Sequence, residues 1–224
     1  SYYKQDGYYA RNGEQDNAWQ GGLKKEFSLP DTVTKEHFNF FVQQRKERAG
    51  YDLCFSAPKS VSVALCLNET IRQDMIQAHQ IAVASTLAKI EAREIGARVT
   101  QNGETEHVKT GNMLCGKFTH FVSRNSDPQL HTHAVILNQT QYNEKLYAVD
   151  NVDLYRNKML YGQIYRNTLA AELLQRGYDI TVTDTEKGFL ELKDIDEPLL
   201  KQFSTRRDQI LSQLKDWDTG NTPE

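Results

Sequence analysis

The chain has 224 residues, of which 38% are hydrophobic and 25% charged, with a formal net charge of −3; that length can bury one substantial core. The slightly acidic balance excludes a protein that coats nucleic acid regardless of sequence, while leaving room for a local basic groove, because phosphate affinity follows where Lys and Arg sit. The sequence holds neither a transmembrane-length apolar run nor a signal-peptide pattern, which reads as a soluble intracellular protein with no membrane insertion.

Two aromatic pairs, Tyr2-Tyr3 and Tyr8-Tyr9, open the chain in a polar segment with no initiator Met, so a short N-terminal piece is expected to be missing. Next come Gly7, Gly13 and Gly21-Gly22 around Trp19-Gln20. The Trp19 ring has two readings, a stacking platform for an unpaired base or a plug for the core. Helical periodicity starts near Thr34, with Phe38, Phe41 and Val42 on one stripe, and stops before Gly50 with Arg45, Lys46 and Arg48 in its last turns. Tyr51 to Phe55 reads as a buried strand, in which Asp52 requires a partner and a histidine ring nitrogen is a natural one. Ser56-Ala57-Pro58-Lys59-Ser60 then turns into a helix with Pro58 in its first turn. Its free amides and Lys59 either seat a phosphate or form an ordinary strand-to-helix turn. Cys54, Cys66 and Cys115, an odd number set in apolar segments, read as reduced core residues.

Glu69 to Glu94 has the pattern of a long amphipathic helix, with Met75, Ala78, Ala82, Leu87 and Ile90 on its buried side; His37 and His79 are expected at the surface. Strands follow over about 97–101, 105–110, 113–122 and 131–138, with His107 in a hairpin around Asn102-Gly103, and local hairpins imply an antiparallel sheet. Gly111 to Phe118 imitates a phosphate-binding loop but carries Phe118 where a magnesium-binding hydroxyl is needed, and leads into a strand instead of a helix. A helix from about Asp153 to Arg176 is stopped by Gly177. A hairpin turns around Glu186-Lys187-Gly188, and a last helix runs from about Glu197 to Trp217. The expected fold is α+β: an antiparallel sheet flanked by helices, in one domain over residues 1–224.

Three of the six histidines fall within fourteen residues, as His120 and His131-Thr132-His133. Residues i and i+2 of a strand share a face, so His131 and His133 point one way and Thr132 the other. His120 joins them if the hairpin register sets it opposite or diagonal to either one; pairing with Thr132 would place it on the wrong face. Three imidazoles with no fourth protein ligand nearby describe an open metal site of the catalytic kind.

Four ordered motifs now coincide: the two tyrosine pairs, Trp19-Gln20-Gly21, Gly50-Tyr51-Asp52-Leu53 with Phe55 through Ser62, and His120 followed by Asp127 through His133. Together they span nearly the whole chain, which resembles the relaxase domain of TrwC/TraI-type conjugative relaxases, members of the HUH endonucleases. The resemblance implies an HUH-type palm sheet and metal-assisted nicking of one DNA strand at a plasmid origin of transfer, with a 5′-phosphotyrosine intermediate and later rejoining. It implies Tyr2 as the nicking nucleophile, Tyr8 as the second tyrosine, and His120, His131 and His133 as ligands of one divalent ion. Asp52 would orient a metal histidine, accept a proton, or both. Tyr3, Tyr9, Trp19, Lys59 and Arg124 are supporting or DNA-contacting candidates. Three neutral imidazoles suit Zn, Mn, Ni, Cu or Co, and Mg is admitted if phosphate and water complete the shell. Implied partners are single-stranded or hairpin DNA at the origin, relaxosome accessory proteins and the type IV secretion coupling machinery. The implied location is the cytoplasm of a bacterial donor, with transfer alongside the DNA. Residues 196–217 are expected as an appendage covering DNA. The short strand that precedes the first tyrosine pair in the family, and its downstream helicase, are not within these residues.

The nearest rival is a rolling-circle replication initiator. Tyrosine pairs placed before the histidines favour the relaxase, since in those initiators the tyrosine motif follows them. A three-histidine zinc hydrolase would leave the tyrosines incidental, a cupin-like oxygenase lacks its Glu soon after the histidine pair, and a noncatalytic single-strand binder would have lost residues that are all present.

Overall fold

The computed structural model describes residues 17–44, 48–123 and 126–203. Tyr2, Tyr3, Tyr8, Tyr9, Arg45, Lys46, Arg124 and most of the last expected helix lie outside the described residues. In chain order the elements are β1 (Ala18–Gln20), α1 (Leu23–Glu26), α2 (Lys35–Gln43), β2 (Gly50–Ser56), α3 (Lys59–Ala64), α4 (Glu69–Glu94), β3 (Gly96–Gln101), β4 (Glu104–Lys109), β5 (Cys115–Val122), β6 (Pro128–Leu137), β7 (Thr140–Tyr142), β8 (Lys145–Tyr147), α5 (Val152–Arg156), α6 (Lys158–Gln175), β9 (Ile180–Asp184), β10 (Phe189–Leu192) and α7 (Glu197–Gln202). The main sheet has the order β1-β5-β6-β2 with every pairing antiparallel, and β3-β4, β7-β8 and β9-β10 form separate hairpins. The expected α+β class with an antiparallel, histidine-bearing sheet is what the chain adopts.

Local signals account for the boundaries. Thr34 caps α2 by accepting from the His37 amide at 3.2 Å, and Asn68 caps α4 by accepting from the Ile71 amide at 2.9 Å. The helix expected over 153–176 is broken at Asn157, which ends α5 and begins α6. Gly177 stops α6 at φ 86°, a left-handed position. Gly21, at φ 110°, turns β1 into α1 where a Cβ would lie 2.1 Å from the Met113 carbonyl oxygen; the Trp19-Gln20-Gly21 motif is thus a packing requirement. The phosphate-loop imitation over Gly111 to Phe118 runs straight into β5, as a strand must.

The sheet has two differently used faces. On the back, Phe55, Cys115, Leu130, Ala134 and Ile136 pack with Met75, Ala82, Leu87 and Ile90 of α4 and Leu169 and Leu173 of α6. On the front, α2 lays Phe38 and Phe41 over Trp19, Phe118, Val135 and Leu137, with Phe38 and Phe118 edge to face at 4.9 Å. Trp19 is 4% exposed in that cluster, so of its two readings it takes the core one; a base cannot stack on a ring already covered.

Three expectations need correction. β2 is not buried throughout: its pattern alternates, with Asp52, Cys54 and Ser56 exposed, because it is an outer strand whose front face α2 leaves open. Cys54, on the open side of β2, and Cys66, after α3, are exposed, and only Cys115 is a core thiol. His79 is fully buried, not superficial, and His37 is half-buried. The segment 140–147, which carried no assigned element, is the β7-β8 hairpin. Among the described residues no helix is long and apolar enough to cross a membrane.

Candidate metal centre

β5 and β6 pair with His120 directly opposite His131 and Phe118 opposite His133, while β2 sets Cys54 opposite His133 and Asp52 opposite Val135. Directly paired residues share a face, so His120, His131, His133 and Asp52 all project from the front, beside the aromatic cluster under α2. The imidazole centroids are 5.2 Å apart for His120 and His131, 5.4 Å for His131 and His133, and 5.8 Å for His120 and His133. The register shifts between His120 and Val122, beyond which Val122 pairs with Pro128; such irregularities are common beside functional sites.

The ring orientations are set by hydrogen bonds. His131 Nδ1–H donates to the Gln129 carbonyl at 2.9 Å, and His133 Nδ1–H donates to the Asp52 carboxylate at 2.9 and 3.1 Å. In both rings this fixes the tautomer whose Nε2 carries the lone pair, the form a metal ion takes. The Asp52 side chain is 21% exposed although its strand is open at the edge, so the carboxylate is turned into the site. Its partner is a histidine, as expected, although the strand position is open and not buried.

Electrostatics favour neutral ligands. Burial, then the neighbouring His131 and His133, lowers the His120 pKa from 6.5 to about 4. Burial also lowers that of His131, against the opposing pull of the Gln129 carbonyl. Behind the sheet, burial lowers His79 to about 3. These shifts carry a stability prediction. Below pH 6.5 the unfolded chain takes up protons that folded His79 and His120 refuse, so stability rises with pH and is lost as pH falls from about 6.5 toward 4. Urea unfolding should give a lower midpoint at pH 5 than at pH 7, with a shallower dependence in His79→Leu; equal midpoints would contradict the neutral burial.

The Ser56-Ala57-Pro58-Lys59-Ser60-Val61-Ser62 motif holds the approach to this site. Ala57 N donates to Leu130 O at 2.9 Å, Lys59 Nζ to Pro128 O at 3.0 Å, and Leu130 N donates to Ser62 Oγ at 3.0 Å. These bonds clasp the start of β6 just ahead of His131. The phosphate reading of the α3 start is corrected here: the Ser60 amide donates to the Glu191 carboxylate at 2.8 Å, so the protein supplies its own anion. Lys59 is likewise directed at the protein backbone, half-buried, with its pKa lowered chiefly by that burial. Sequence reasoning missed Ser60 and Ser62, whose partners lie far along the chain, and the Gln129 carbonyl, which is only two residues from His131 but whose direction no side-chain pattern encodes. It also missed His79, although its spacing from Met75 and Ala82 puts it on the buried stripe of α4.

The donor set fits a divalent ion. Three imidazoles on one sheet face, two of them oriented through Nδ1, are donors of the kind that would hold such an ion and leave a position for water or substrate. As the side chains stand, no group of three or more His, Cys, Asp and Glu among the described residues is in a geometry that holds a metal ion, so the three imidazoles would have to draw together to close on one.

A family model described as TrwC relaxase matches residues 1–224. The multifunctional conjugation protein TraI of Escherichia coli (strain K12) is 34% identical over 233 residues, an alignment covering 93% of this chain and 13% of that protein. The chain therefore spans only a small part of the curated relative's length. Among solved structures, the conjugative relaxase TrwC in complex with oriT DNA, in its metal-bound form, superposes with a TM-score of 0.85 at 35% identity, covering 96% of this chain and 79% of that one. TrwC complexed with a 27-mer DNA comprising the recognition hairpin and the cleavage site gives 0.83 at 36% identity, over 92% and 78%.

Proposed function

The chain belongs to the TrwC relaxase family, and from that premise we propose that it nicks one strand of DNA at an origin of transfer through a covalent tyrosine intermediate. The observation that carries this reading is the convergence of His120, His131 and His133 on one open sheet face with Asp52 oriented onto His133.

Tyr2 is the nucleophile in this reading. Its phenol oxygen attacks the scissile phosphorus, the P–O bond to the 3′ oxygen breaks, and the products are a 5′-phosphotyrosine and a free 3′ hydroxyl. A phenol with an unperturbed pKa near 10 is only about 0.1% ionised at pH 7, a deficit of roughly 4 kcal/mol. Two functions of the chain offset it. The Asp52 carboxylate, held beside the site by its bond to His133, takes the phenol proton in this reading, and the three histidines would hold an ion that supplies charge withdrawal from the non-bridging phosphate oxygens. The exchange of one phosphodiester for another roughly conserves bond energy, so the strand can be rejoined without a nucleotide, and in this reading Tyr8 resolves a second transfer. Tyr3, Tyr9 and Arg124 support the DNA.

The ion would be one divalent metal of the set that imidazole accepts, Zn, Mn, Ni, Cu or Co, or Mg with oxygen ligands from phosphate and water. The DNA partner in this reading is single-stranded with an adjacent hairpin; TrwC complexed with a 27-mer comprising the recognition hairpin and the cleavage site supports the hairpin. Relaxosome accessory proteins, the type IV coupling machinery and action in the donor cytoplasm belong to the same proposal. So does a DNA-covering role for residues 196–217, of which α7 is the described beginning.

The test is a randomised single-stranded oligonucleotide pool carrying a hairpin, incubated with the protein and Mn2+. A covalent adduct surviving a denaturing gel, with one enriched cut site, is the expected result; no adduct with any member would refute nicking. Asp52→Asn should weaken Mn2+ binding by about 10- to 100-fold in a calorimetric titration. An unchanged affinity would remove Asp52 from the metal histidine's support.

A further inference from the structure

The back of the histidine strands carries a polar chain that the nicking reaction does not call on. Thr119 and Thr132 are opposite each other in the β5-β6 register, one step along from the opposed His120 and His131. Their hydroxyls are 2.9 Å apart. His79 of α4 places Nε2 2.8 Å from the Thr132 hydroxyl and Nδ1 2.7 Å from the Tyr165 hydroxyl of α6. Tyr165, His79, Thr132 and Thr119 are each no more than 3% exposed.

An apolar residue at any of these positions would fill the same space without having to be satisfied, and a buried polar chain is costly unless every member is paired. One polarity leaves its terminal proton beside a cavity. Tyr165 donates to His79 Nδ1, His79 Nε2–H donates to Thr132, Thr132 donates to Thr119, and Thr119 borders a cavity of about 270 Å³ with Lys117 and Gln80. In the opposite polarity the Tyr165 proton has no acceptor among the described residues. The chain thus links both long helices to the residue between the two strand-borne metal histidines. Because strand side chains alternate, a rotation or slip of β6 that moved Thr132 from His79 would move His131 and His133 on the other face.

We propose that Tyr165, His79, Thr132 and Thr119 are positioning residues that lock β6 from behind, setting the separation and direction of the His131 and His133 rings. Directional bonds do this where apolar packing would permit a graded shift. The inference rests on the metal-site reading above.

The test measures Mn2+ affinity by calorimetry and the visible spectrum of the Co2+-loaded protein in Thr132→Val, Thr132→Ser, His79→Gln and Tyr165→Phe, alongside thermal unfolding without metal. Thr132→Val and His79→Gln should bind Mn2+ about tenfold more weakly or worse and shift the Co2+ bands. Thr132→Ser, which keeps the hydroxyl, should restore both. Tyr165→Phe, which removes only the terminal bond, should fall between. Variants that unfold at lower temperature yet keep wild-type Mn2+ affinity and Co2+ spectrum would overturn the proposal, since a merely structural role moves the first alone. His131→Ala separates the two ideas. If it retains Mn2+, the metal-site reading fails; if it loses Mn2+ while Thr132→Val binds normally, the positioning inference alone fails.

Discussion

Tyr2→Phe is expected to eliminate covalent attachment to an origin oligonucleotide while DNA binding is largely kept. Phenylalanine preserves the ring and whatever packing it makes, and removes the one oxygen that can form the P–O bond. Deleting a nucleophile costs on the order of 10⁴-fold or more, which takes the adduct below detection on a denaturing gel. Tyr8→Phe should leave the first adduct intact and impair a second transfer, measured with a pre-loaded 5′-phosphotyrosine complex and a fresh acceptor strand. Undiminished adduct in Tyr2→Phe would sink the assignment of the nucleophile without touching the metal centre.

Replacing His131 or His133 by Ala should remove metal binding and cleavage together. Each variant leaves two imidazoles on a face that has no closed cage to fall back on, so the loss in Mn2+ affinity should exceed the 10- to 100-fold expected for an outer support. The two variants differ in what they leave behind. His133→Ala strands the Asp52 carboxylate without its imidazole, whereas His131→Ala opens a gap at a position only 6% exposed. Circular dichroism and unfolding therefore belong in the same experiment. Full cleavage by metal-free wild-type protein would count decisively against the centre.

Much of the site was legible because it depends on short periods. The two-residue repeat of a strand put His131 and His133 on one face from sequence alone, and a tight hairpin left few registers for His120, of which the direct pairing with His131 is the one adopted. Asp52 suggested a histidine partner on the expectation that its strand is buried; the partner is there although the strand is open on that side. α4 was readable end to end from its helical period. The same period, applied to His79, indicates burial; the polarity of the imidazole masked it, since a buried ring is tolerable only when distant partners satisfy both nitrogens.

Those distant partners mark the boundary between the two kinds of information. The sequence by itself determined which residues share a strand face, where the long helix runs, and that three histidines and a carboxylate are available for an open metal site, because these follow from local geometry and local cost. Only the tertiary structure decided that Trp19 is core, that Lys59 serves the backbone of β6, and that Thr132 is gripped by His79 and Tyr165. These contacts join residues far apart in the chain: Ser62 to Leu130 across 68 positions, Ser60 to Leu192 across 132. Whether such a donor meets its acceptor depends on how helices and sheet stack, and no local periodicity encodes that stacking.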